Sequence, residues 1–369
     1  MTQAERILAA IKGEPTDRTP VSLYEIDGFS TRYSPEHPSY ERIRAFAREN
    51  LDNMVMETPM IDAPLGFLFS GGGEDMVTRE VRHDGPDEIV RTTVNTPKGP
   101  LTMETRHNAE AYTVWTTEFL VKGTEDVDRL LSIPYERKAP DMSAFFAQKE
   151  RVGDRGIMMP DVHDPVVMCA TVMEFNDYIL LSALERPKFR RLLDFFAERM
   201  HNWLDDVLEA GGGPLFRIVG AELATPPYMR PEDFREFVVN YDGEFIKKIQ
   251  AAGAYARVHS HGNISKVADM ILEMGPDALD PLEEPPGGDI SLGEIKRILG
   301  DKLCLMGNIQ ESMFELHTAE EVRAEVRRIK EIASPGGRYV IMPTATPISV
   351  PLPEKVEENV FAFMETALE

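Results

Sequence analysis

The sequence predicts an α/β fold, a (β/α)8 TIM barrel with an N-terminal β-hairpin insertion. Three observations carry that expectation. Short apolar runs that end in polar or acidic residues alternate with helical segments, most regularly from Gly156 onward. Eight such runs can be counted from Val21, the number a closed parallel barrel needs. No glycine-rich dinucleotide fingerprint follows any of them, which disfavours the competing open doubly wound sheet. The expected organisation is one domain over 1–369, with hairpins inserted between 66 and 123.

In chain order, Thr2-x-x-Glu5 reads as a capping box opening an amphipathic helix that Gly13-Glu14-Pro15 ends. Val21–Glu25 and Asn53–Thr58 are the first two strand candidates, each apolar and then acidic. Gly71-Gly72-Gly73 reads as a flexible turn and lacks the lysine of a phosphate loop. Ile89–Val94, Leu101–Thr105 and Tyr112–Val121 are rich in Thr, Val and aromatic residues between turns, the signature of antiparallel hairpins. Gly156–Asp161 starts the regular part, followed by helical text through Glu209 and a Gly211-Gly212-Gly213-Pro214 stop. Leu215–Leu223 is a strand. Phe234, Phe237, Val238, Tyr241, Phe245 and Ile249 then recur at helical spacing before Gly253. Tyr255–His261, Asp277–Glu284, Leu303–Gly307 and Tyr339–Met342 complete the strands. Helices lie between them, one capped by Thr318 and Glu321. A closing helix carries Val356, Val360 and Phe363.

Forty basic and 63 acidic residues give a formal charge of −23, which offers no attraction to nucleic acid or anionic membranes and serves solubility. The two cysteines, Cys169 and Cys304, provide no disulfide framework and point to a reducing compartment. Cys304 lies in an apolar run and is expected in the core. With no signal peptide and no membrane-spanning run in view, a cytoplasmic protein is expected.

Barrel chemistry sits at the C-terminal ends of the strands. Those ends carry Tyr24, Glu25, Glu57, Asp161, His163, Glu222, His259, His261, Glu283, Glu284, Asn308, Thr344 and Thr346. The ring contains no lysine, against Schiff-base chemistry, and no nucleophile-elbow motif. His259 and His261 are two residues apart and so share one strand face, where an imidazole pair can grip a divalent metal or a substrate carboxylate. Two imidazoles and a neighbouring carboxylate suit zinc with an open position. His259, His261 and Glu283 are the candidate metal ligands, with Glu222 as substitute or supporting partner. Glu222, Asp161 and Glu57 are the candidate catalytic carboxylates, and Tyr24, His163, Asn308 and Thr344 the candidate substrate-binding residues. Asp161 and His163 either line the pocket or shape the turn before Pro165. Arg217 and Arg257 lie within strands and read as buried ion-pair partners.

At these residues the chain resembles the uroporphyrinogen decarboxylase-like family, which includes methylcobamide:coenzyme M and related corrinoid-dependent methyltransferases. The resemblance rests on Pro231-Glu232-Asp233-Phe234-Arg235-Glu236-Phe237, His259-Ser260-His261-Gly262-Asn263, Gly275-Pro276-Asp277-Ala278-Leu279, Gly300-Asp301-Lys302, Met306-Gly307-Asn308-Ile309 and the stretch Pro353 to Asn359. True decarboxylases carry an arginine-rich motif after the first strand, where this chain has Tyr24-Glu25-Ile26-Asp27-Gly28. The decarboxylase histidine of the last strand–loop is replaced near Thr344-Ala345-Thr346. In the thiol-methylating branch, His261 stands where the first cysteine ligand would be, and Ala345 falls near the second. The resemblance therefore implies a methyltransferase component for a small oxygen-methylated substrate. It would use zinc or another divalent metal, and would meet cobalamin only on a separate corrinoid protein. The alternatives are decarboxylase or lyase chemistry on a small carboxylic acid, or a non-catalytic binding barrel. A homodimer is compatible with the family.

Overall fold

A computed structural model of the chain describes residues 1–29, 37–62, 65–66, 74–108 and 114–369. The first helix, Gln3–Lys12, opens with the expected capping box: Thr2 Oγ1 accepts from Glu5 N and the Glu5 carboxylate accepts from Thr2 N. It closes at Gly13, which adopts the left-handed conformation (φ 76°) that glycine tolerates best. Its apolar face (Ile7, Ala10, Ile11) joins one cluster with Met54, Ile157, Leu215, Ala278, Cys304 and Val340. Most of these residues sit near the N-terminal ends of strands, so this helix plugs that end of the ring and leaves the other end for chemistry.

Val21–Glu25, expected as a full strand, contributes a single parallel bridge, Val21 to Ile341. A buried ion cluster holds it. The Asp52 carboxylate accepts from Val21 N, at 2.9 Å, and from Arg6 and Arg18. Strand β1 (Asn53–Val55) follows. Next comes an antiparallel four-stranded sheet of β2 (Val77–Asp84), β3 (Asp87–Thr96), β4 (Gly99–Asn108) and β5 (Val114–Glu118), in that order. Three of these match expected hairpin strands. β2 carries no strand signal in the sequence, because Val-Thr-Arg-Glu-Val-Arg-His-Asp is mostly polar, and it is almost entirely exposed. Gly71–Gly73 and the first residues of the Tyr112–Val121 run lie outside the described residues.

The parallel part resumes with β6 (Gly156–Met158), which pairs with β1, and β7 (Asp161–His163). One strand was expected here. Pro160 has no N–H to donate, and the ladder is interrupted at that point. β7 then leads a six-stranded parallel sheet with β8 (Leu215–Val219), β9 (Tyr255–His259), β10 (Ala278–Asp280), β11 (Cys304–Ile309) and β12 (Tyr339–Pro343). The two parallel sheets are connected by hydrogen bonds of flanking residues, Asp52 N to Val21 O on one side and Arg217 N to Pro160 O on the other. The paired strands therefore do not form one continuous closed ladder of eight.

β8 and β10 stop earlier than expected. Gly220 has φ 137°, and a Cβ there would lie 2.0 Å from the Asp164 carboxylate. Pro281 ends β10. Phe216, Ile218, Val258, Leu279, Leu305 and Ile341 point to the surrounding helix layer and are fully buried. The alternate positions, including Cys304, face inward. Among the helices, the segment expected from Phe234 to Ile249 contains a π-turn at Arg235–Val239 before Asn240–Ala251. The capping box at Thr318 and Glu321 is present. No described helix is long and apolar enough to cross a membrane.

Candidate active site at the strand ends

Strand parity turns Arg217 of β8, Arg257 and His259 of β9 and Asp280 of β10 to the interior. The register places Asp280 opposite His259. Arg257 forms the floor. It donates to both oxygens of Asp280 and lies among the sulfurs of Met54, Met159 and Met342 at 3.5–3.8 Å. Burial alone would raise the Asp280 carboxyl, but Arg257 and His259 overcome it and hold it far below the usual carboxylate range.

An ionised carboxylate only accepts hydrogen bonds, so His259 donates Nδ1–H to Asp280 Oδ2 at 2.7 Å. Its Nε2 then carries the lone pair. Burial pushes the His259 imidazole below its ordinary value despite the pull of Asp280, which favours the neutral ring. Tyr24 OH lies 3.4 Å from Nε2 and accepts from Arg217 Nη1 at 2.7 Å. Arg217 also grips Asp161 through Nε and Nη2, at 2.8 and 3.0 Å. The result is one buried chain, Asp161–Arg217–Tyr24–His259–Asp280–Arg257, across the base of the pocket. Both arginines are ion-pair partners, as their position within strands suggested.

His261 lies one step beyond β9. Its ring stands edge-to-face to His259 with centroids 4.7 Å apart, and Nδ1 is 3.2 Å from Glu283 Oε2. That oxygen also accepts from Gly262 N at 2.8 Å. Burial works against the charged form of both groups, yet their pairing raises the His261 pKa and lowers that of Glu283. The loop after Glu283 folds over it: a Cβ at Gly288 would lie 2.0 Å from the Glu283 carbonyl oxygen. Glu283 is thus built into the site, whereas Glu284 turns away to Arg328 and Leu292 N.

Glu222 sits on the 3-10 turn Ala221–Ala224 that follows β8. Among the described residues no hydrogen-bond donor reaches its buried Oε2, and its negative charge favours protonation of both histidines. Asn308 braces the neighbouring loop through Leu282 O at 3.0 Å and Glu284, leaving its own Oδ1 buried without a donor among the described residues. Thr344 Oγ1 accepts from Glu311 N. His163 ends β7 in register with Val219. Glu57 lies beyond β1, half-exposed, and lines a surface depression with Pro59, Met60, Asp141 and Phe145. Asp164, not Asp161, shapes the turn before Pro165, by capping the helix Pro165–Val172.

One contributor escapes the sequence reading. Asp280 is an acid inside an apolar run, and only the pairing register shows that it faces His259. Glu25, expected at a strand end but given no role there, has φ 58°, a conformation few non-glycine residues adopt.

A model of the uroporphyrinogen decarboxylase (URO-D) family matches residues 122–369, a span that includes β6 to β12 and the two-histidine strand end. The chain belongs to the URO-D family. Two sequences of "Methylcobamide:CoM methyltransferase MtaA" from Methanosarcina barkeri are 24% and 23% identical to it over 197 residues. That alignment covers 53% of this chain and 54% of each relative, so the chain spans about half the length of the curated relatives it matches. A solved structure titled "methyltransferase from Methanosarcina mazei" shares the fold, with a TM-score of 0.63, 18% identity and 99% of each chain covered.

Family membership raises the question of a metal. Among the described residues, no three His, Cys, Asp or Glu side chains converge closely enough to hold an ion as they stand. The donor chemistry nevertheless fits one. Each imidazole has Nδ1 occupied by its own carboxylate, Asp280 or Glu283, which is how metal-binding histidines are usually oriented. The buried, unpartnered Glu222 Oε2 supplies a carboxylate oxygen.

Proposed function

We propose that this chain is a metal-assisted methyltransferase component, which releases the methyl group of a small oxygen-methylated substrate to the corrinoid of a separate protein. The observation that carries the reading is the pair of strand-end imidazoles, each backed by its own carboxylate. His259 and His261 would hold a divalent ion, zinc in the simplest case, with Glu222 or Glu283 as the carboxylate ligand. When bound, the ion supplies Lewis acidity toward the oxygen of the methyl donor. A nitrogen and carboxylate donor set without thiolate is harder than one containing cysteines and favours an oxygen ligand over a thiol.

The chain's own residues do the rest. Asp280 and Glu283 fix the two imidazoles in tautomer and orientation. Arg217 positions the Tyr24 hydroxyl, and Asp161 neutralises Arg217. The inward methionines around Arg257 keep the floor dry, which strengthens every electrostatic interaction above it. Asn308 Oδ1 remains available to accept a substrate hydrogen bond, with Thr344 and His163 on the same rim. Asp161 therefore serves as a positioning carboxylate, and Glu57 stands at the margin.

The decarboxylase reading needs cations for substrate carboxylates. Arg217 and Arg257 are both already paired with Asp161 and Asp280, which supports methyl transfer instead. The proposed setting is the cytoplasm, as one barrel domain with the hairpin sheet inserted. The test is transfer of a methyl group from an aryl methyl ether to reduced cob(I)alamin by zinc-supplied wild-type protein. Transfer that the His259→Ala, His261→Ala double variant lacks supports the reading; equal rates in both proteins reject it.

A further inference from the structure

The carboxylates around the pocket differ in one respect that the fold builds in. Asp161 and Asp280 are each clamped by an arginine, and Glu283 is held by His261 and Gly262 N. Glu25 is held more loosely than any of these. Its Oε1 is 3.8 Å from Arg217 Nη2, beyond hydrogen-bonding reach, and that nitrogen already donates to Asp161. Among the described residues, no donor reaches the Glu25 carboxyl.

The backbone nonetheless fixes it. Glu25 occupies the left-handed region at φ 58°, a conformation that a non-glycine residue keeps only where the surroundings enforce it. Here Ile26 N donates to Tyr24 O across the turn, at 2.8 Å. The buried Asp27 carboxylate ties the loop to Phe29 N and Met56 N, at 2.8 and 3.1 Å. Residue 25 is therefore directed by the fold, while among the described residues its carboxyl has a 3.8 Å ion pair with Arg217 and no hydrogen-bond donor.

We propose that Glu25 is the catalytic acid of this site, giving its proton to the oxygen that loses the methyl group. The inference rests on the methyl-transfer reading above. In the step, the carbon–oxygen bond breaks and its electron pair stays on oxygen. The methyl group is taken by the cobalt(I) nucleophile of the acceptor corrinoid. The proton passes from the Glu25 carboxyl to that oxygen, leaving an alcohol or phenol and a Glu25 carboxylate that water reprotonates. The side chain is 21% exposed, enough for that return.

The charged groups that face Glu25 set its readiness. Burial pushes its pKa up to about 7 and Asp161 adds to the rise, while Arg217, His261 and Arg257 oppose it. An acid so poised is well matched to neutral conditions. The clamped Asp280 and Glu283 are both shifted the other way and hold no proton to give.

The test compares two methyl donors, anisole and 4-cyanoanisole, with reduced cob(I)alamin as acceptor and the zinc-supplied protein. Cyanophenolate leaves with little need of a proton, whereas the phenolate of anisole gains from one. Glu25→Gln, nearly isosteric, should slow anisole demethylation by roughly 10²–10⁴-fold and 4-cyanoanisole demethylation far less, with an unaltered melting curve. Glu25→Asp, which keeps the acid but withdraws it by one methylene, should fall between wild type and Glu25→Gln on anisole. Equal losses on both ethers, or no loss on either, overturn the assignment while the methyl-transfer reading stands. Wild-type protein that demethylates neither ether removes that reading, and the assignment with it.

Discussion

Asp280→Asn is the most informative single change, because Asp280 neutralises Arg257 and orients His259 together. All three side chains are buried, with Asp280 at 0% and Arg257 at 1% exposure. Removing the charge leaves the guanidinium among three methionine sulfurs with no counter-ion. Breaking a buried pair in this way costs about 3–5 kcal/mol, a large part of a typical total stability of about 5–15 kcal/mol. Urea unfolding followed by tryptophan fluorescence reads it directly, since Trp203 is buried in the core. The double variant Arg257→Met, Asp280→Asn removes both charges and places a fourth thioether among Met54, Met159 and Met342, so most of the loss should return. If Asp280→Asn costs under about 1 kcal/mol, or the double variant is no more stable than the single, the buried pair does not have the role assigned to it.

Two further outcomes follow from the packing. Asp242 and Asp164 are fully buried, and among the described residues Asp242 has no hydrogen-bond partner on either oxygen; burial, with like charge nearby, pushes both carboxyls well above their ordinary range. A raised carboxyl favours the folded state fully only below its unfolded pKa of about 3.9 and loses that stability as pH rises through the folded value. Asp242→Asn should therefore gain on wild type steadily from pH 5 to pH 8 in urea midpoint; a constant difference would show that Asp242 is not held protonated. Leu305→Ala, on the helix-facing side of β11, should cost about 2–5 kcal/mol, and an unchanged melting temperature would contradict that facing.

Much of this architecture is legible in sequence because periodicity is a local property. The capping boxes at Thr2 and Thr318, the outward faces of β8 to β12 and the shared face of His259 and His261 follow from spacing alone. Closure of the ring does not. Val21–Glu25 has the composition of a strand, yet one bridge is all that the Asp52 cluster and the strained Glu25 turn allow. Site residues divide along the same line. The histidines are visible through two-residue parity. Their carboxylates depend on inter-strand register, which separates Asp280 from His259 by 21 positions in the chain. Glu283 was visible as an acid at a strand end, but its attachment to His261 Nδ1 is a property of the folded loop. β2 lacks any apolar alternation, so composition could not reveal it.

The central claim is a metal at His259 and His261, and metal stoichiometry tests it most directly. Protein purified without chelator, supplied with zinc and freed of excess should retain about one ion per chain. Retention should weaken as pH falls through the imidazole range, because protons compete for the ring nitrogens and the pairing with Glu283 raises the His261 pKa. The double variant His259→Ala, His261→Ala should retain none while its circular dichroism stays that of the wild type. Substoichiometric metal in the wild-type protein that the double variant does not change would contradict the account, leaving the histidines as hydrogen-bonding groups for substrate.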